Sequence, residues 1–381
     1  TNAANTLSGR AYMSDFGAPG TTSTRLTTVP EGTAVYMQWI DKDGWVSPAF
    51  RAYTTNQITD RDSSAAGPGF YAFDLRKPQI DANGKSHVYN ATDGQYYRLW
   101  IEDFETPNGN TATMLRQVDG LIPGTFVNSV THLNLGQFPL IGKNMQRTGV
   151  FMGVRPTNDY MTRPKEEWIH DEEGPMTNPY TDLKAKNTVS GRVWLETGDG
   201  DEENSGTGPN RNPGDPVAQG YTVVMSSLTK EGAAAYKDQV QSLDHGQRAE
   251  AAKKLLEDHP EYISATVYGE TDEDGHYTLR FPKDALDVNF LYGYVMDKDG
   301  VIQNAYSSYT APEFRTPNTN ALFTPQAIPA HNLVADPMWY NVHFAVIPRT
   351  DVEISIVDFN NTDKPAAPGD VAHIDLEGKI L

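Results

Sequence analysis

The sequence predicts an all-β fold of tandem sandwich modules, and three observations carry that expectation. The first is a repeat: Thr6-Leu-Ser-Gly-Arg-Ala-Tyr-Met-Ser14 returns as Thr188-Val-Ser-Gly-Arg-Val-Trp-Leu-Glu196, a whole domain length later and too far away for a solenoid. The second is local: short blocks of β-branched and aromatic residues alternate with turn clusters of Gly, Asp, Asn and Pro, while helical periodicity is confined to one stretch. The third is order, since the same succession of strand-like blocks occurs in both halves. The chain has 381 residues, 38% of them hydrophobic, which is enough apolar material for more than one core.

Module one, residues 1–155, opens on the strand pattern Leu7 to Met13, followed by a loop rich in Gly, Thr and Ser. Gly32-Thr-Ala-Val-Tyr-Met-Gln-Trp-Ile40 is the next block, and Asp41-Lys-Asp-Gly44 turns the chain. Gly69-Phe-Tyr-Ala-Phe-Asp-Leu75 alternates, with Tyr71, Phe73 and Leu75 on one side. After the turn Asp81-Ala-Asn-Gly84 comes Gln95-Tyr-Tyr-Arg-Leu-Trp-Ile-Glu102, and Val150 to Val154 closes the module. A Pro/Glu-rich spacer, 156–187, leads to module two, 188–348. There Gly191 to Leu195, Gly220 to Met225, Gly275 to Phe281, Phe290 to Val295 and Val342 to Val346 repeat the order. Residues 349–381 read as a second spacer and the start of a further repeat, because Leu376-Glu-Gly-Lys-Ile-Leu381 follows the form of Val-Ser-Gly-Arg-Val-Trp-Leu.

One insert, 229–259, carries helical spacing. Its second half begins at Asp244, a capping residue with Gln247 three positions on, and Ala249, Ala252, Leu255 and Leu256 form an apolar stripe that ends at His259-Pro260. A helical hairpin is expected, acting either as a lid on a sheet or as a partner-binding element.

Charge narrows the partners. The net charge is −19 and the pI near 4.8. Nucleic acid and anionic membrane surfaces are excluded, because both need Lys and Arg to displace counterions. No long apolar run supports membrane insertion, and the absence of cysteine removes disulfides and thiolate chemistry. The chain is expected to be an excerpt lacking a signal peptide and a sorting tail.

Asp199, Asp201 and Glu203, with Asp215 returning, place carboxylates at alternate positions of a Gly/Asn-rich loop, the ligand type that Ca²⁺ takes. Asn204 stands where a calcium loop would have Gly, so a solvated acidic loop is the competing reading. Asp272 and Asp274 precede the middle strand of module two and complete the candidate metal set. Asp272-Glu-Asp-Gly275, Asp41-Lys-Asp-Gly44 and Asp297-Lys-Asp-Gly300 are turns first and ion ligands second, since Asp-Gly suits positive φ. No nucleophile, zinc or nucleotide motif occurs, and no enzyme is expected. Trp39, Trp45, Tyr71, Tyr96 and Trp100 are either core residues or a sugar platform.

Ser190-Gly-Arg-Val-Trp-Leu, the acidic loop, Gly220-Tyr-Thr-Val-Val-Met and Thr271-Asp-Glu-Asp-Gly-His-Tyr-Thr-Leu resemble the prealbumin-like Cna-B and Sdr-B modules of Gram-positive surface proteins. With the long spacers, the arrangement resembles cell-wall-anchored adhesins that carry Rib or biofilm-associated repeats. The resemblance implies Ig-like or prealbumin-like sandwiches in an extracellular adhesin or stalk. It also implies contacts with host or neighbouring-cell molecules, glycans included, and homophilic association through strand edges. Such modules often hold a Lys–Asn isopeptide. Here Arg10 and Arg192 stand near the expected lysine, and neither Tyr71-Ala-Phe nor Tyr277-Thr-Leu is followed by the expected Glu, so none is expected. The competing function is a carbohydrate-binding module of a secreted glycan-processing protein.

Overall fold

The fold is built around two strands that the sequence repeats, Thr6–Ser14 and Thr188–Leu195. The computed structural model describes residues 5–14, 27–55, 69–107, 109–117, 124, 126–129, 146–154, 161–176, 187–196, 211, 214–244, 247–287, 290–306, 338–339, 342–347, 352–360 and 373–380. Strands predominate among these residues, and the fold is all-β with a short helical insert.

In the first sandwich, Thr6–Ser14 pairs antiparallel with Phe70–Asp74 on one side and parallel with Gln146–Val154 on the other. Thr111–Gln117 extends that sheet. The facing sheet runs Val127–Asn128, Tyr96–Trp100, Ala34–Ile40, Phe50–Tyr53. Ala34–Ile40 has period-two alternation, with Val35, Met37 and Trp39 buried and half-exposed residues between them. Tyr71, Phe73 and Leu75 join Leu7, Ala11, Val150 and Met152 across the core from Tyr97 and Leu99. Each such side chain contributes about 1.5–3 kcal/mol on burial.

The second sandwich repeats this arrangement. Thr188–Leu195 pairs antiparallel with His276–Arg280 and parallel with Phe344–Val346. The facing sheet runs Ile169–His170, Ile263–Glu270, Thr222–Leu228, Leu291–Met296. The registers coincide, Gly9 lying opposite Tyr71 and Gly191 opposite Tyr277. Both glycines sit where a Cβ would strike backbone: 2.1 Å from the Thr148 oxygen at Gly9 and 1.9 Å from the Val342 oxygen at Gly191. Each tyrosine reaches the strand responsible, Tyr71 Oη lying 2.7 Å from Thr148 Oγ1 and Tyr277 Oη donating to the Val342 carbonyl. The repeated Ser-Gly-Arg therefore marks a crossing too tight for any side chain.

Two expectations differ from what is found. The stretch 156–187, read as a spacer, is part of the second sandwich over residues 161–176. Ile169–His170 pairs parallel with Ile263–Glu270, Met161 and Met176 are buried, and the buried Asp171 binds Arg280 at 2.8 and 3.1 Å as well as the Arg280 N–H. A charge-assisted contact in which Arg280 Nη1 is shared between both Asp171 oxygens holds that segment down. Asp244 is not the cap of the second helix, Arg248–Asp258, whose N-cap is Gln247 without a side-chain bond. The true cap is at the first helix, Lys230–Tyr236, where Thr229 accepts from the Gly232 N–H. Tyr236, Val240, Ala252, Leu255 and Leu256 pack on Val224, Leu228, Tyr292 and Tyr294, so these helices cover the outer face of the second sandwich.

Residues Pro348–Leu381 form a separate unit, in which Val352–Asn360 pairs antiparallel with His373–Ile380 through a bulge near Ile356. The Leu376-Glu-Gly-Lys-Ile-Leu381 stretch falls largely in its second strand. Among the described residues no helix is long and apolar enough to cross a membrane.

Candidate functional site

Two Asp-x-x-Gly turns of the first sandwich converge on one histidine. In the turn after Ala34–Ile40, Gly44 takes φ +85°, and Asp41 and Asp43 accept from the N–H groups of Lys42 and Trp45. In the ribbon Gln79–Ile80 and Ser86–His87, Gly84 takes φ +81°, and Asp81 accepts from the N–H groups of Asn83 and Lys85. The second oxygens of Asp41 and Asp81 remain for His87.

His87 is buried, 1% exposed, with Nδ1 2.7 Å from Asp41 Oδ2 and Nε2 3.0 Å from Asp81 Oδ2. Its ring lies flat on Trp45 at 4.1 Å and 7°, and Trp45 meets the core residue Trp39 edge-on. A neutral imidazole has one N–H, so one nitrogen would face a carboxylate lone pair to lone pair. Protonation removes that repulsion. The hydrogen bond with Asp81 raises the His87 pKa against burial, and Asp41 adds to it. At Asp41, burial pushes the pKa up, but hydrogen bonds from His87, the Lys42 N–H and Gln95 outweigh it and hold it below the ordinary value. His87 lowers Asp81, and Lys85 does the same for Asp43.

One ligand atom each from Asp41, Asp43 and His87 lies within 4.8 Å of the others, a donor set that suits a borderline divalent ion. Nδ1 already lies within hydrogen-bond distance of Asp41 Oδ2, and a metal would have to displace that contact.

The metal ligands expected from sequence are placed differently. Asp199, Asp201 and Glu203 lie outside the described residues. Asp215 is buried beside the Pro216 carbonyl, which accepts from Leu195. Asp272 accepts from the N–H groups of Asp274 and His276, and the Asp274 carbonyl accepts from Arg192 Nε, so both serve the hairpin. Asp215, Asp272 and Asp274 form no converging group of three among the described residues. The site that does converge was half legible. Asp41-Lys-Asp-Gly44 was singled out as a turn, but nothing local says that a second Asp-x-x-Gly turn brings His87 to it. The equivalent turn of the second sandwich has Gln303 Nε2 on Asp297 Oδ2 at 3.1 Å, a neutral substitute.

Of the aromatic residues considered as a platform, Trp39 and Tyr71 are core and Trp45 covers His87, whereas Tyr96 and Trp100 face outward.

No family model matches the chain, and no curated protein matches it. Among solved structures it is similar to the plantain pollen allergen Pla l 1, at 14% identity and TM-score 0.18, over 42% of this chain and 94% of that one. It is similar to the shaft pilin SpaA of Lactobacillus rhamnosus GG at 6% identity and TM-score 0.20, over 91% and 98%. It is also similar to a tetra-tandem repeat from the extending region of a large adhesion protein, at 8% identity and TM-score 0.14, over 93% and 53%. Scores of this size carry no argument, and the fold class rests on the strand pairing itself.

Proposed function

We propose that the chain is a non-catalytic stalk or adhesin module on the surface of a Gram-positive cell, anchored to the wall and serving attachment or biofilm formation. The observation that carries this reading is mechanical. In the first sandwich the entering and leaving strands lie side by side and parallel, Thr6–Ser14 with Gln146–Val154, and in the second Thr188–Leu195 and the leaving strand Phe344–Val346 pair the same way behind the edge strand Ile169–His170. Tension through the chain then pulls the paired strands in opposite directions along their length. The hydrogen bonds between them share the load in shear instead of opening one at a time. The segment joining the sandwiches is itself fastened by Asp171 and Arg280, which removes slack from the series.

Single-molecule stretching tests this. Pulling from the two termini should give a high-force event for each sandwich. Pulling between a cysteine introduced at Asn110, in the turn before Thr111–Gln117, and the C-terminus should peel that sheet at lower force. Smooth extension at low force under end-to-end load would sink the stalk reading.

Calcium belongs to the same proposal, as a stiffener held by Asp199, Asp201, Glu203 and Asp215 of the acidic loop. A native-state site adds RT ln(1 + [L]/Kd), about 2.7 kcal/mol when calcium stands at about 100 times Kd. The melting temperature should therefore rise in millimolar Ca²⁺ over chelator, and an unchanged melt would remove calcium from the account.

A further inference from the structure

The two sandwiches treat the same outer face differently. In the second, Val224 and Leu228 of Thr222–Leu228 and Tyr292 and Tyr294 of Leu291–Met296 are sealed beneath the helical insert. In the first, the corresponding strands turn Tyr36, Gln38, Arg98 and Trp100 outward, flanked by exposed Arg51 and Tyr53 and by Phe126 and Asn128. Register places these groups in rows: Arg51 beside Tyr36 beside Trp100, and Gln38 beside Arg98.

The rows form a stack. Tyr36 and Trp100 lie parallel at 5.5 Å, and the Arg98 guanidinium sits over Trp100 at 5.3 Å and over Phe126 at 4.8 Å. Gln38 Oε1 accepts from Arg98 Nε and Nη2. The guanidinium is thus clamped between two rings and fixed along one edge, with donors remaining. Among the described residues no carboxylate pairs with it, and Arg51 and Arg98 are the charged side chains that these strands present on this face. A cationic, aromatic face in a chain of net charge −19 is complementary to an anion.

From this we infer that the outer face of the first sandwich binds a carboxylated oligosaccharide, with Arg98, held over Trp100, taking the carboxylate and Tyr36 and Tyr53 meeting the C–H surfaces of the sugar rings. The second sandwich shows what this face looks like when polypeptide covers it: aliphatic and tyrosine side chains. Here planar polar groups alternate with rings, a pattern matched to a ligand that carries hydroxyls around apolar C–H patches. Desolvation already lowers the pKa of Arg98, which favours an anion that restores its lost partner. The assignment rests on the proposed adhesive role.

The test is calorimetric titration of the full chain with sialyllactose and with oligogalacturonate, against lactose and reduced, carboxylate-free galactan oligomers. Saturable binding is expected to at least one acidic sugar and to neither neutral one. It should weaken about tenfold or more in Arg98→Gln and with added salt. Arg51→Gln, at an exposed side chain, should weaken binding less and serves if Arg98→Gln lowers the melting temperature. No binding to either acidic sugar, equal binding to the neutral ones, affinity untouched by both variants, or equally effective competition by polyglutamate would each overturn the assignment. A chain that resists end-to-end load but binds no sugar loses this inference alone. One that binds but unravels at low force loses the stalk reading instead.

Discussion

Gly191→Ala should destabilise the second sandwich by about 3 kcal/mol or more, at the upper end of what overpacking costs, because the new methyl group would occupy backbone. The added Cβ would lie 1.9 Å from the Val342 oxygen, 2.5 Å from its carbon and 3.1 Å from Tyr277 Cε1. None of these is the far end of a flexible side chain. Relief requires the parallel strand pair to separate, which also breaks the Tyr277 hydrogen bond and the Val342 N–H bond to the Ser190 carbonyl. Gly9→Ala should behave alike in the first sandwich, against Thr148. Gly300→Ala is the control: φ is +78° with nothing within 4 Å, so only backbone strain applies, about 1 kcal/mol. Denaturant titration of the three variants decides it. If Gly191→Ala costs no more than Gly300→Ala, the tight crossing is not what the repeated glycine serves. The stretching experiment adds a second readout, since Gly191→Ala should lower one force event and leave the other.

What the sequence disclosed and what it hid follow one physical line. Features set by neighbours along the chain were readable: the strand at Ala34–Ile40, the alternation of Tyr71, Phe73 and Leu75, and the turns that end at Gly44 and Gly84. Features set by partners far along the chain were not. Nothing local announces that Thr6–Ser14 lies parallel to a strand more than a hundred residues later. Nothing in a Pro/Glu-rich stretch shows that Asp171 meets Arg280. His87 is the plainest case, because its chemistry comes from Asp41 and from Trp45, both on another hairpin. The apolar stripe read from the spacing is buried at Ala252, Leu255 and Leu256, but the start of the helix was misplaced at Asp244. There a good capping residue was credited without knowledge of where the helix axis begins.

The two sandwiches should respond to pH in opposite directions, and one histidine in each is the cause. His87 has a folded pKa above its ordinary 6.5. Its contribution is fully present below 6.5 and is lost as pH rises through the raised value. His343 is the reverse: burial, with His276 and Arg192 adding to it, lowers its pKa to about 4, and its Nδ1 accepts the Arg192 N–H, so it folds neutral. Below 6.5 the unfolded chain takes up a proton that folded His343 refuses, so the second sandwich weakens as pH falls from 6.5 toward 4. Asp41 and Asp81, both held low, add an acid limit to the first sandwich, whose stability falls as pH drops below the ordinary carboxylate value of 3.8. Denaturant titrations from pH 4.5 to 9 on wild type, His87→Gln and His343→Gln separate the contributions. The stability gap between wild type and His87→Gln should be constant below about pH 6.5 and shrink above it. That between wild type and His343→Gln should be constant above about 6.5 and shift against wild type below it. A gap for His87→Gln that is flat across the range would mean that the imidazole is not charged between Asp41 and Asp81, and the converging turns would then be packing alone.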